Sequence, residues 1–153
     1  MEKQTALLLI GNFALVIPLS LGLALWFVTR LRRRSDQPAS PGEAGVTMVP
    51  VRSLQRRYRF LGAAQNGISP RLEVAPDGLR FKVFKPDRWA FADITRVHFF
   101  PLPFVTRLEV RSRSAGRLYI DLADKTRARD FLRLLPPTLA YTPRARSLRD
   151  DHV

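Results

Sequence analysis

The stretch from Thr5 to Thr29 constrains this chain more than any other. It reads TALLLIGNFALVIPLSLGLALWFVT and holds no charged residue. As a helix it would reach about 37 Å at ~1.5 Å per residue, enough to cross a hydrocarbon core about 30 Å thick. Inside such a core every backbone N–H and C=O needs a partner in its own segment, which leaves a helix as the conformation. A cleaved signal peptide has a basic start, a shorter apolar run and a small-residue cleavage site. Here a basic cluster stands where cleavage would occur. A buried core helix of this length would show a polar face, and this run has none. The sequence therefore predicts a transmembrane anchor with its basic flank over residues 1–34.

Orientation follows from that flank. Arg30, Arg32, Arg33 and Arg34 come directly after the run, against Lys3 before it. The positive-inside rule then places the C-terminal side in the cytoplasm and the N-terminus outside, a single-pass protein of the inner (plasma) membrane. Trp26 falls where an interfacial aromatic belt is expected, so it joins the four arginines as the anchor flank. The bilayer, through Thr5–Thr29, is the first expected partner, and anionic lipid headgroups drawn to the basic residues are the second.

The remainder of the 153 residues suffices for one small domain and flexible segments. With no cysteine, disulfides, thiolate metal sites and thiol nucleophiles are excluded. The net charge is +13, and because Glu2 and Lys3 cancel, the whole excess lies after the apolar run. Such an excess favours anionic surfaces or nucleic acid. The abundance of Ala, Leu and Pro leaves a bland alternative, in which arginine richness is a base-composition effect.

Residues 35–56 read as a linker, since Pro, Gly, Ser and Ala dominate its first part and apolar periodicity is absent. From Tyr58 the pattern turns to period two. Strand candidates follow around Tyr58 and Phe60, over Arg71–Val74 and over Leu79–Val83, where Leu79, Phe81 and Val83 share a face. Further candidates are Trp89–Phe91, Ile94–Val97, Thr106–Arg111 and Leu118–Leu122. Pro76-Asp77-Gly78 and Ser114-Ala115-Gly116 supply turns. Six or seven short strands at close spacing predict an antiparallel sandwich or barrel. Then Ala128, Phe131, Leu132 and Leu135 fall on one helical face, with Asp124 as N-cap and Pro136-Pro137 as the stop. The expected β domain with its C-terminal helix spans 57–136, and 137–153 reads as a disordered basic tail.

The segments RLEVAPDGLRFKVF, WAFADITRV, RLEVRS and GRLYIDLADKTRARDFLRLL, with Phe91-Ala92-Asp93-Ile94 in mid-domain, resemble the bacterial pleckstrin-homology-like superfamily and its GRAM-type relatives. The resemblance covers Tyr58 to Leu135. It implies a mainly β domain of two nearly orthogonal antiparallel sheets capped by a C-terminal α-helix. That fold serves lipid binding, peptide binding and scaffolding, so it carries no function with it. Phosphoinositide-binding relatives hold basic residues on the first two strands and their loop. Arg71, Arg80, Lys82 and Lys85 occupy a comparable region here. The turn Ala75–Gly78 is short and holds Asp77, so these four read as a solvated basic strand face instead.

No set of residues converges on catalysis, a cofactor or a metal. His98 and His152 are the only histidines, and no nucleophile elbow, Walker-type loop or dinucleotide-binding glycine run occurs. Asp121 and Asp124 read as turn and capping residues at the helix start. The stretch His98–Val105 is an apolar, proline-containing loop, with Phe99 and Phe104 either packed inward or exposed. Arg96, Phe100, Leu102 and Arg107 form the candidate contact surface around it. The expected function is a membrane-anchored, non-catalytic binding or scaffolding module with a protein partner. A membrane-tethered nucleic-acid binder and an accessory subunit of a membrane complex are the alternatives. Interleaved base-stacking aromatics are not evident on any one strand, which counts against nucleic acid.

Overall fold

The computed structural model describes residues 22, 26, 29, 39–42, 45–58, 62–67, 69–103 and 105–151. The chain divides into two compact units, Met1–Arg34 and Ser35–Val153. In the first, Gly22, Trp26 and Thr29 are helical, and the Thr29 hydroxyl donates to the Trp26 carbonyl at 2.9 Å.

The structure does not bear out the expected transmembrane anchor. Among the described residues no helix is long and apolar enough to cross a membrane. A span needs about 20 consecutive apolar helical residues, and apart from those three positions the stretch Thr5–Thr29 lies outside the described residues. The single-pass topology, the inner-membrane location and the placement of a cytoplasmic domain all rested on that helix and are corrected with it. Of the expected flank, Trp26 is an exposed helical residue, while Arg30, Arg32, Arg33 and Arg34 lie outside the described residues.

The second unit is mainly β. Its strands are β1 (Ser40–Pro41), β2 (Thr47–Val49), β3 (Ser53–Arg57), β4 (Ala63–Asn66), β5 (Arg71–Ala75), β6 (Gly78–Lys82), β7 (Pro86–Ala90), β8 (Ile94–Leu102), β9 (Val105–Ser112) and β10 (Gly116–Leu122). Two helices follow, α1 (Lys125–Leu134) and α2 (Pro143–Asp150). The strands form two antiparallel sheets, ordered β1-β2-β5-β6-β7 and β4-β3-β10-β9-β8.

Alternation along the strands sets the inner faces. Leu72, Val74, Leu79, Phe81 and Trp89 point inward from the first sheet, and Leu54, Val97, Phe99, Leu108, Val110, Leu118 and Ile120 from the second; all are buried in one core. Phe131, Leu132 and Ala128 of α1 complete it. The helix begins where the Asp124 carboxylate accepts the Arg127 N–H at 2.9 Å. Arg56 departs from the apolar rule. From the inner side of β3 its guanidinium pairs with Asp87 of β7 and lies 4.5 Å from the Tyr58 ring centroid. An ion pair thus joins the two sheets, with aromatic faces supplying the cation's other contacts.

Two parts of the expected layout differ. Residues 35–56 contain β1, β2 and the first part of β3, because short segments without alternation find long-range partners: Thr47–Val49 on β5 and Ser53–Arg57 on β10. Residues 137–153 contain α2. Its leading segment is stitched to edge strand β8, since the Val97 N–H donates to the Ala140 carbonyl at 2.9 Å and the Thr142 N–H to the Val97 carbonyl at 3.0 Å. Arg133 of α1 then donates to the carbonyls of Arg149 and Asp151 at 3.1 and 2.9 Å, capping the free end of α2.

Candidate functional site

The outer face of the second sheet gathers the chemistry. Residues directly opposite on adjacent strands share a face, so strand register sorts this surface into rows. The first row reads Phe100, Arg107, Asp121 and Ser53 across β8, β9, β10 and β3. Two positions along, the second reads His98, Glu109, Tyr119 and Gln55. The third reads Arg96, Arg111, Arg117 and Arg57. Four arginines from four strands thus stand side by side. A β-bulge between Ile94 and Arg96 brings Arg96, not Thr95, opposite Arg111.

The first row is structural. Asp121 is buried and accepts two parallel hydrogen bonds from Arg107, Nε to Oδ1 at 2.7 Å and Nη2 to Oδ2 at 2.9 Å. The Ser53 hydroxyl donates to the same carboxylate at 2.6 Å. The hydrogen bonds to Asp121 raise the Arg107 pKa above its ordinary value, and partial burial opposes them. Asp121 is therefore neither a turn residue nor an acid poised for catalysis; it orients Arg107. That guanidinium lies 5.7 Å from the Tyr119 ring centroid.

The third row is different, because one carboxylate serves it. Glu109 is buried in the second row; its Oε1 accepts from Arg111 Nε at 3.2 Å and Nη2 at 3.0 Å, and lies 3.8 Å from Arg117 Nε. Contact with the Tyr119 side chain, then the charge of Glu109, raises the Arg117 pKa. Arg57, Arg96 and Arg113 are exposed and form no ion pair among the described residues. A cleft of about 640 Å3 opens beside the row, lined by Arg57, Arg111, Arg113 and Arg117 with Thr95 and Ser112.

A second cleft, about 500 Å3, lies on the same face and shares Arg57 with the first. Phe100, Leu102, Arg107, Tyr119 and Gln55 line it. Three of the four residues expected to form a contact surface therefore come together here, and Arg96 stands in the arginine row. The apolar loop expected over His98–Val105 is instead the end of β8, a turn at Pro103 and the start of β9. Pro101 is accommodated because β8 is an edge strand. Phe99 is buried and Leu102 is 45% exposed, while Phe104 lies outside the described residues. His98 packs edge-on against Phe100, with ring centroids 4.1 Å apart, and its Nδ1 is 3.1 Å from the Thr142 hydroxyl.

The outer face of the first sheet is basic too, but more nearly balanced. Arg71 pairs with Glu73 and Arg88 with Asp77, leaving Arg80 and Lys82 beside them. Lys85 sits apart in the bend after β6. Among the described residues no group of three or more His, Asp or Glu side chains gathers that could hold a metal ion. No family model, no curated protein and no solved structure matches this chain.

Proposed function

We propose that this chain is a binding module without catalytic chemistry, and that it holds an anionic partner against the outer face of the second sheet. One observation carries the reading: Arg96, Arg111, Arg117 and Arg57 stand in a single cross-strand row, and among the described residues Glu109 is the one carboxylate paired with it. Like charges directly opposite on neighbouring strands destabilise a sheet. The row therefore costs stability in the free protein, and an anion laid over it offsets that cost. The net charge of +13 raises the encounter rate with anionic partners in the same direction. Kinship with the pleckstrin-homology-like domains belongs to the proposal on its sequence motifs alone and adds no ligand to it.

A labelled heparin-derived octasaccharide, followed by fluorescence anisotropy with the full-length chain, tests the reading. Arg57→Ser combined with Arg117→Ser is expected to weaken binding at least tenfold, and Arg80→Ser combined with Lys82→Ser only slightly. Equal losses from both pairs would mean that net charge alone, and not this row, does the binding.

A further inference from the structure

We infer that the anionic partner is a single-stranded nucleic acid, with phosphates on the arginine row and bases on the aromatic side chains beside it. The inference rests on the reading that this face binds an anion, and it names the ligand class. Adjacent strands lie about 4.8 Å apart, so the four arginine positions span roughly 14 Å across the sheet. Their order is Arg96, Arg111, Arg117, Arg57. Two residues further along each strand, about 7 Å away on the same face, the next row presents Tyr119 and His98, and the row after it Phe100. That separation is one a nucleotide bridges from its phosphate to its own base.

Single-strand binding combines a basic groove that follows the backbone with aromatic side chains on which bases stack. Both parts are present on one surface, and the two clefts that hold them share Arg57. Arg107, fixed by Asp121 against Tyr119, adds a guanidinium plane of the kind that also stacks on bases. Gln55, opposite Tyr119, supplies an amide able to donate to and accept from a base edge. No single strand carries the whole surface: β8 provides Arg96, His98 and Phe100, β10 provides Arg117 and Tyr119, and register places them together. An acidic peptide would use the arginines and leave the aromatic cleft without a purpose. A duplex would keep its bases stacked on one another and out of reach. The strands of the first sheet turn no aromatic side chain outward among the described residues, since Phe81 and Trp89 are both buried in the core, and the exposed Phe84 lies in the bend beyond β6, outside the strand register.

The test uses the full-length chain and a fluorescein-labelled 12-nucleotide oligouridine, with binding followed by anisotropy between 50 and 200 mM salt. Four phosphate contacts at about 0.7 counterions each give a log–log slope near −2.8, a loss of roughly 50-fold over that range. Arg57→Ser with Arg117→Ser should make the slope shallower by about 1.4. Tyr119→Leu should weaken binding about tenfold with the slope unchanged, the signature of a lost stacking partner. Because Tyr119 packs against Arg107, Phe100→Ala serves as a second stacking variant, and thermal melting shows whether either fold is disturbed. If polyglutamate or phosphatidylserine vesicles bind through the arginines and the oligonucleotide does not, the nucleic-acid inference fails while the anion-binding reading stands. If none of the three binds, the nucleic-acid inference fails, and if the heparin-derived octasaccharide does not bind either, the anion-binding reading fails with it. A 12-base-pair duplex that binds as tightly as the single strand, with Tyr119→Leu and Phe100→Ala both silent, overturns the inference as well.

Discussion

Arg117 stands directly opposite Arg57 on the neighbouring antiparallel strand, cation beside cation on the exposed side of the sheet. Such a pair opposes folding and is screened by salt. Arg57→Thr is therefore expected to raise the melting temperature by roughly 1–3 °C at low ionic strength, since threonine also suits a strand. The gain should vanish in 1 M salt, where the Debye length is about 3 Å. Melting curves at the two salt concentrations check this, and a variant that melts lower at both would remove the like-charge argument. The same substitution weakens anion binding in this account, so stability and binding move in opposite directions.

Asp121 carries three hydrogen bonds in the middle of the sheet, from Ser53 and twice from Arg107. Asp121→Ala leaves Arg107 without its counter-charge and Ser53 without its acceptor. Arg107 retains 30% side-chain exposure, so water relieves part of the loss. A destabilisation of about 2–3 kcal/mol is expected, below the range for a fully buried pair broken on one side. Chemical denaturation measures it. The double variant Asp121→Ala with Arg107→Met should recover part of the deficit, because the stranded cation is gone; a purely additive loss would contradict the coupling.

Gly116 opens β10 with φ of +94°, and a Cβ there would meet the Arg57 carbonyl oxygen at 2.3 Å. Backbone strain and a backbone clash thus act together, and the atoms met belong to the backbone of Arg57 and Tyr58, not to a flexible side chain that could yield. Gly116→Ala is predicted to cost about 2–4 kcal/mol and to loosen the β9–β10 turn beside the arginine row. A cost under about 0.5 kcal/mol in urea unfolding would show that the turn relaxes freely.

The C-terminal segment contributes to stability through Tyr141, which is buried and donates from its hydroxyl to the Pro136 carbonyl at 2.8 Å. Burial raises its pKa, with the charge of Asp150 acting in the same direction and Arg149 against it. The neutral phenol is thus favoured by the fold, and the unfolded chain ionises first, near pH 10. Above that pH the unfolded state holds fewer protons, so the contribution of Tyr141 is fully present below about pH 10 and declines as pH rises. Tyr141→Phe should lower stability at pH 7 by about 1 kcal/mol and flatten the alkaline decline. Parallel wild-type and variant curves between about pH 9 and 11 would contradict this assignment.

How much of this was legible in the sequence depends on where the determinants lie. The alternation of Leu79, Phe81 and Val83 and the helical spacing of Ala128, Phe131 and Leu132 are local, and all six side chains are buried. The capping role of Asp124 is local as well. The strands β2 and β3 were not legible, because each is held by partners tens of residues away and neither alternates cleanly. Helix α2 offers little apolar face, with Ala145 buried and Leu148 half-buried, and it is anchored by hydrogen bonds from β8 and α1. The arginine row was hidden for a related reason. Its members sit at 57, 96, 111 and 117, and only register, together with the bulge before Arg96, sets them in line. Arg111 and Arg117, paired across the β9–β10 turn, were the one part that a hairpin reading of RSRSAGR could have found.

Whether these four arginines act together on one anion is decided by nuclear magnetic resonance of the arginine Nε–H groups in the full-length chain, titrated with the unlabelled heparin-derived octasaccharide. Joint action is expected to shift the Nε–H signals of Arg57, Arg96, Arg111 and Arg117 along one saturation curve while those of Arg71, Arg80 and Arg88 on the opposite sheet stay near their free positions. Signals of Arg80 and Arg88 that shift as far as those of the row, or four row signals that saturate at unrelated concentrations, would contradict it.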